Sequence, residues 1–165
     1  YNLVDYACTT YTKYEKSLLF LRSLDLKYTE SHEALYTNFT ISERYVDLFC
    51  YYLSDDDIVK NKLTIERFPQ SKFDKLTFDN LFKILERLTT SNVKIEILLD
   101  RWPNILTRVL GRENLNNYYR IQLLDVLNMI LNSTVPLGKY EDPILQKIEQ
   151  LRGSVSAANP LTESL

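Results

Sequence analysis

The sequence predicts an all-α fold, an irregular α-solenoid or a compact bundle of about eight or nine helices. Three observations lead there. Glycine is scarce: 165 residues hold three, Gly111, Gly138 and Gly153, each where a helical pattern stops. A sheet-rich or doubly wound fold needs glycine at many tight turns and phosphate loops. Apolar residues recur at spacings of three and four along most of the chain, the period of an amphipathic helix. Capping residues and prolines fall at the ends of those periodic runs. With 45% hydrophobic and 25% charged residues the chain is of ordinary globular composition and long enough to bury a core. One helical domain is therefore expected over residues 1–153.

Over the first 24 residues, Val4, Ala7, Tyr11, Tyr14, Leu18 and Leu21 form a seam along one face of a long helix. Leu3, Leu19 and Phe20 widen it toward a second partner surface. A shorter helical piece follows around residues 30–37. In TISE, Thr40 stands three positions before Glu43, the spacing of a capping box. It would open a helix over 41–53 with Ile41, Tyr45, Leu48, Phe49 and Tyr52 on its inner face, and Tyr51 off that face. SDDD, Ser54–Asp57, ends that helix and caps the next. Pro69 and QSKFD make a connection, and residues 68–76 are the best place for an internal hinge.

The second half is more regular. Thr77 caps a helix carrying Phe78, Leu81, Phe82, Leu85 and Leu88; TTSN breaks it, and a short helix with Val93, Ile97 and Leu98 follows. Pro103 fits the first turn of the next helix, and Gly111 suits a left-handed residue just past its end. From Asn114 the longest of these helices presents Leu115, Tyr119, Leu123, Val126, Leu127, Ile130 and Leu131. Pro136 and Gly138 close that region. Asp142 caps a last helix opened by Pro143, with Leu145, Ile148 and Leu151 inside and Gly153 ending it. Residues 154–165 have no apolar period and are expected to form a flexible or extended tail.

Several chemistries lack their residues. Three isolated glycines cannot build a phosphate loop, and no serine sits in a nucleophile elbow. His32, the one histidine, has no second imidazole or cysteine at metal spacing and reads as an exposed residue at a helix start. Asp55, Asp56 and Asp57 lack the glycine and distal glutamate of a calcium loop. No catalytic residue, metal or cofactor is nominated, and the chain is not expected to be an enzyme. Cys8 and Cys50 lie far apart inside helical patterns, which points to packed thiols and a reducing, intracellular compartment, nucleus and cytoplasm being undistinguished. No apolar run approaches the ~20 residues of a membrane span. Opening on YNLVDYACTTY without Met, the chain is expected to be a piece of a longer protein.

The net charge of −2 gives no global attraction to nucleic acid. Residues 83–120 are nevertheless mildly basic, with seven Lys/Arg against four Asp/Glu. They hold Arg101, Trp102, Arg108, Arg112, Tyr118 and Arg120. Arginine with tryptophan and tyrosine is the composition of protein-binding hot spots and also suits phosphate contact. These six are the candidate partner-binding residues.

The stretch PNILTRVLGRENLNNYYRIQLLDVLNMIL, residues 103–131, resembles the second and third helices of an armadillo-type repeat. Ile105, Leu106, Val109 and Leu110, then Leu123, Leu124, Leu127 and Ile130, stand at that family's apolar positions. With LFKILERLTTSNVKIEILLD before it, the stretch also looks like the core of the TFIIS N-terminal type of docking domain. Both resemblances imply short stacked helices and a non-catalytic role. The tryptophan and asparagine ladder of peptide-binding armadillo proteins is replaced by Asp125 and Met129, and NMILNSTV stands where the TFIIS-like domain ends in a basic, tryptophan-containing segment.

The expected function is accordingly a docking or scaffold module of a larger intracellular protein. It would bind an acidic or phosphorylated peptide, or an amphipathic helix, in an inter-helix groove. Two alternatives stay open: a nucleic-acid-associated helical domain of a nuclear or chromatin factor, and an oligomerisation domain using the N-terminal helix. No membrane partner is expected.

Overall fold

The computed structural model describes residues 2–158. Among these residues there are ten α-helices, four short 3-10 turns and no strand. The helices are α1 (Leu3–Thr10), α2 (Glu15–Ser23), α3 (Glu33–Asn38), α4 (Val46–Tyr52), α5 (Asp56–Asn61), α6 (Phe78–Leu88), α7 (Asn92–Arg101), α8 (Pro103–Leu110), α9 (Asn117–Asn132) and α10 (Glu141–Ala158). The protein is all-α, as the apolar period requires.

The helices pack progressively along the chain. α1 meets α2 and α3, α2 meets α4, α4 meets α6, α5 meets α7, α6 meets α7 and α8, α7 meets α8, and α10 meets α8 and α9. Ties between elements have a matching reach, from the 23 residues between Thr29 and Tyr52 to the 42 between Asn92 and Thr134. One apolar cluster runs through the helices from Ala7 to Leu151. Its centre is aromatic: Phe39, Phe49, Phe68 and Trp102 are fully buried, and Phe39 and Phe49 meet edge-on with centroids 5.6 Å apart. Phe68, Phe73 and Leu76, in the connection before α6, belong to this core.

Three of the expected helix starts form where the local sequence placed them. The Asp55 carboxylate accepts from the Ile58 amide at 3.0 Å, Thr77 caps α6 and Pro103 opens α8. The same local chemistry defines caps at Asn2, Ser91 and Asn116.

Five local expectations are corrected. The expected long N-terminal helix is two helices, broken between Tyr11 and Tyr14. Thr9 and Thr10 turn their hydroxyls onto the Tyr6 carbonyl, and Thr10 Oγ1 then lies 2.8 Å from Ser17 Oγ across the turn. Tyr14, assigned to the seam, is 52% exposed as a result. The Thr40–Glu43 capping box does not form. Ser42 before it is extended, and the Glu43 carboxylate reaches α6 instead, accepting from the Thr77 amide at 2.8 Å and from the Asn80 side chain. Gly111 has a right-handed φ of −79°, and the left-handed residue is Asn114, at φ 59°. α9 therefore starts at Asn117, capped by Asn116, later than expected. Finally, α10 starts at Glu141, so Asp142 stands inside its first turn and is not its cap; the helix runs through Gly153 to Ala158, and Leu145 faces outward. The remainder of the expected tail, 159–165, lies outside the described residues.

Candidate functional site

The six residues nominated from the sequence separate into different environments. Trp102 is fully buried, its ring against Phe73 and Phe49 with centroids 5.3 and 6.1 Å away. Its indole N–H donates to the Phe68 carbonyl at 2.6 Å. It is a core residue and offers no surface to a partner. Arg101 donates to the carbonyls of Val59, Lys60 and Leu63, closing the C-terminal end of α5. Arg108 does the same for Phe73, Asp74 and Leu76 at 3.0, 3.3 and 3.1 Å. Both guanidinium groups thus satisfy main-chain carbonyls that the sequence contributes 32–42 positions earlier.

Arg112 lies over the Phe78 ring at 4.7 Å, Arg120 donates to Asn117 within its own helix at 3.0 Å, and Tyr118 is 63% exposed. These three, like Arg108, stay at the surface, and none of them lines the groove formed by α2, α4 and α6.

A different cluster converges. Arg22 from α2, Asp47, Cys50 and Tyr51 from α4, and Lys83, Glu86 and Arg87 from α6 line one groove of about 420 Å3. α2 packs on α4 and α4 on α6, so the groove is a product of their packing. Asp47 stands between two cations, 3.7 Å from Arg22 and 3.8 Å from Lys83. All three side chains are about half exposed, and pairs of such length and exposure contribute little, on the order of 0–1 kcal/mol. Arg87 has no ion-pair partner among the described residues.

The groove floor is drier. Burial holds the Glu86 carboxyl above its usual range, with the Arg87 charge opposing. Burial also pushes the Cys50 thiol up to about 11, so it is protonated at neutral pH and is a poor nucleophile. The Tyr51 hydroxyl donates to the Leu24 carbonyl, which anchors the α2 end of the wall, and Tyr51 is half-buried although it lies off the inner face of α4.

The chemistry available is therefore recognition of an anionic group by cations drawn from two helices, beside an internal carboxylate that competes for them. Sequence reasoning missed this set because Arg22, Asp47 and Lys83 lie in separate helices. One local signal was present: Lys83 and Arg87 are four residues apart, hence on one face of α6. Among the described residues no group of three or more His, Cys, Asp or Glu could hold a metal ion, and no helix is long and apolar enough to cross a membrane.

No protein-family model, curated protein or solved structure matches this chain.

Proposed function

We propose that this chain is a non-catalytic docking module of a larger intracellular protein, an armadillo- or HEAT-like stack that holds an acidic or phosphorylated peptide in the groove across α2, α4 and α6. The observation that carries this reading is the convergence of Arg22, Lys83 and Arg87 on one groove. The pairings of Arg22 and Lys83 with Asp47 are long and exposed, so an incoming phosphate or carboxylate displaces little. A guanidinium on each side suits bidentate capture, and Tyr51 supplies apolar contact for the flanking residues. The progressive packing of each helix on its successors supports the stack reading, because repeat proteins bind extended segments along such surfaces.

The relevant arginines differ from those expected. Arg101 and Arg108 are engaged with main-chain carbonyls, so selection of an acidic partner passes to Arg22, Lys83 and Arg87.

The test is fluorescence anisotropy with a labelled glutamate-rich peptide, with and without a phosphoserine. Saturable binding that weakens with salt is expected, stronger for the phosphorylated peptide and reduced by about tenfold or more in the Arg22→Glu, Arg87→Glu double variant. Equal binding by that variant, or none by the native chain, overturns the reading. Preference for a single-stranded oligonucleotide over both peptides would support the nucleic-acid alternative instead.

A further inference from the structure

Large apolar side chains are exposed mainly at the two ends of the stack. Among the large hydrophobic residues of α3 to α8, positions 33–110, only Ile65 is exposed among the described residues. At the N-terminal end Leu3 and Leu19 are 59% and 51% exposed. At the other end Tyr118, Ile121 and Met129 of α9 are 63%, 51% and 46% exposed. Exposed apolar side chains gathered on two separate faces call for an occupant.

The two ends differ in shape and charge. Between α1 and α2 lies a mainly apolar depression of about 200 Å3, lined by Leu3, Tyr6, Ala7, Lys16, Ser17 and Phe20. Lys16 supplies its only charged group, and no ion pair engages Lys16 among the described residues. On α9 the exposed residues form a ridge: Tyr118, Ile121, Asp125 and Met129 follow one another at spacings of three, four and four, hence on one face. Asp125 interrupts that ridge as its single charge and likewise has no ion-pair partner among the described residues. The ridge spans roughly 16 Å at 1.5 Å per residue, comparable with the roughly 13 Å of α2 beside the depression.

We propose that the α9 ridge of one copy seats in the α1–α2 depression of another, head to tail, with Asp125 of the first facing Lys16 of the second. A hollow with one lysine and a ridge with one carboxylate complement each other, whereas hollow against hollow would oppose two lysines and leave both ridges uncovered. A helix-in-groove contact buries apolar side chains at regular spacings, which this ridge provides. Such a contact joins unlike surfaces, so it does not close on two copies and extends into open chains. Its area is that of a single helix face, so the contact is weak and association is read at high protein concentration. The depression and the α2–α4–α6 groove share no lining residue, and the test of one reads independently of the other.

The experiment is sedimentation equilibrium on the 165-residue chain, with circular dichroism confirming that every variant is folded. Native chain should rise from monomer through dimer to larger species with concentration. Leu3→Glu, which blocks the hollow, and Ile121→Glu, which blocks the ridge, should each remain monomeric, since both side chains are exposed and their loss leaves the fold intact. An equimolar mixture of the two should form dimers and nothing larger, because one free hollow and one free ridge remain. Lys16→Glu and Asp125→Lys should each weaken association about tenfold, and both changes in one chain should restore it. A monomeric native chain, a native chain that stops at the dimer, or a mixture that stays monomeric overturns the proposal.

Discussion

The indole N–H of Trp102 donates to the Phe68 carbonyl at 2.6 Å, bridging 34 positions of sequence inside a ring of aromatic side chains. This contact fastens the start of α8 to the connection that precedes α6, so residues 68–76 are held by the core. Trp102→Phe removes the donor, leaves a buried carbonyl unpaired and opens space. The expected loss is about 2–4 kcal/mol in urea unfolding followed by circular dichroism. The native fluorescence should be blue-shifted and resistant to acrylamide, since the chain's single tryptophan is fully buried.

Arg108 should behave as a structural residue. Its guanidinium serves three carbonyls in a fork that a lysine ammonium cannot reproduce. Arg108→Lys is expected to cost about 1 kcal/mol and Arg108→Ala about 2 kcal/mol, read as shifts of the urea midpoint. Peptide binding by the folded fraction should be unchanged in both, which separates this arginine from those of the groove.

The two thiols should be silent until the fold opens. Burial pushes both Cys8 and Cys50 up to about 11, with the Asp5 charge adding to the effect on Cys8. Iodoacetamide at neutral pH should leave both unmodified in native protein and alkylate both in urea, as read by intact mass.

Glu86 should make the protein less stable as pH rises through the carboxylate range. Burial raises its folded pKa above the unfolded value of 4.5, so the folded state holds this proton more tightly. The penalty is absent below the unfolded value, grows as pH rises from there, and is complete once pH exceeds the raised folded value. Glu86→Gln should therefore be more stable than native chain at about pH 7 and indistinguishable at about pH 3.5. Glu33 works in the opposite direction: hydrogen bonds from Lys62 and Arg67 lower its pKa, so its contribution is lost as pH falls through that lowered value.

What could be read directly from sequence was local. The Asp55 and Thr77 caps and the Pro103 helix start need only a few neighbouring residues to define them, and all three form. The break at Tyr11–Tyr14 escaped because an unbroken apolar period ran through it, while the competing threonine hydroxyls carry no period. The capping box at Thr40 failed for a different reason: Glu43 found a better set of donors on α6, 34–37 positions away. Arg101 and Arg108 looked like unengaged cations because their carbonyl partners are equally remote. The groove was the least visible feature, since three helices must pack before Arg22, Asp47 and Lys83 meet.

The most direct test of the docking account is a 15N-resolved NMR titration of the chain with the phosphoserine peptide. Amide shifts should cluster on Arg22, Asp47, Cys50, Tyr51, Lys83, Glu86 and Arg87, the lining of the groove. Asp47→Asn should tighten the fitted affinity by removing the competing carboxylate. Shifts confined to α8 and α9, or none at saturating peptide, would contradict the assignment of this groove as the docking site.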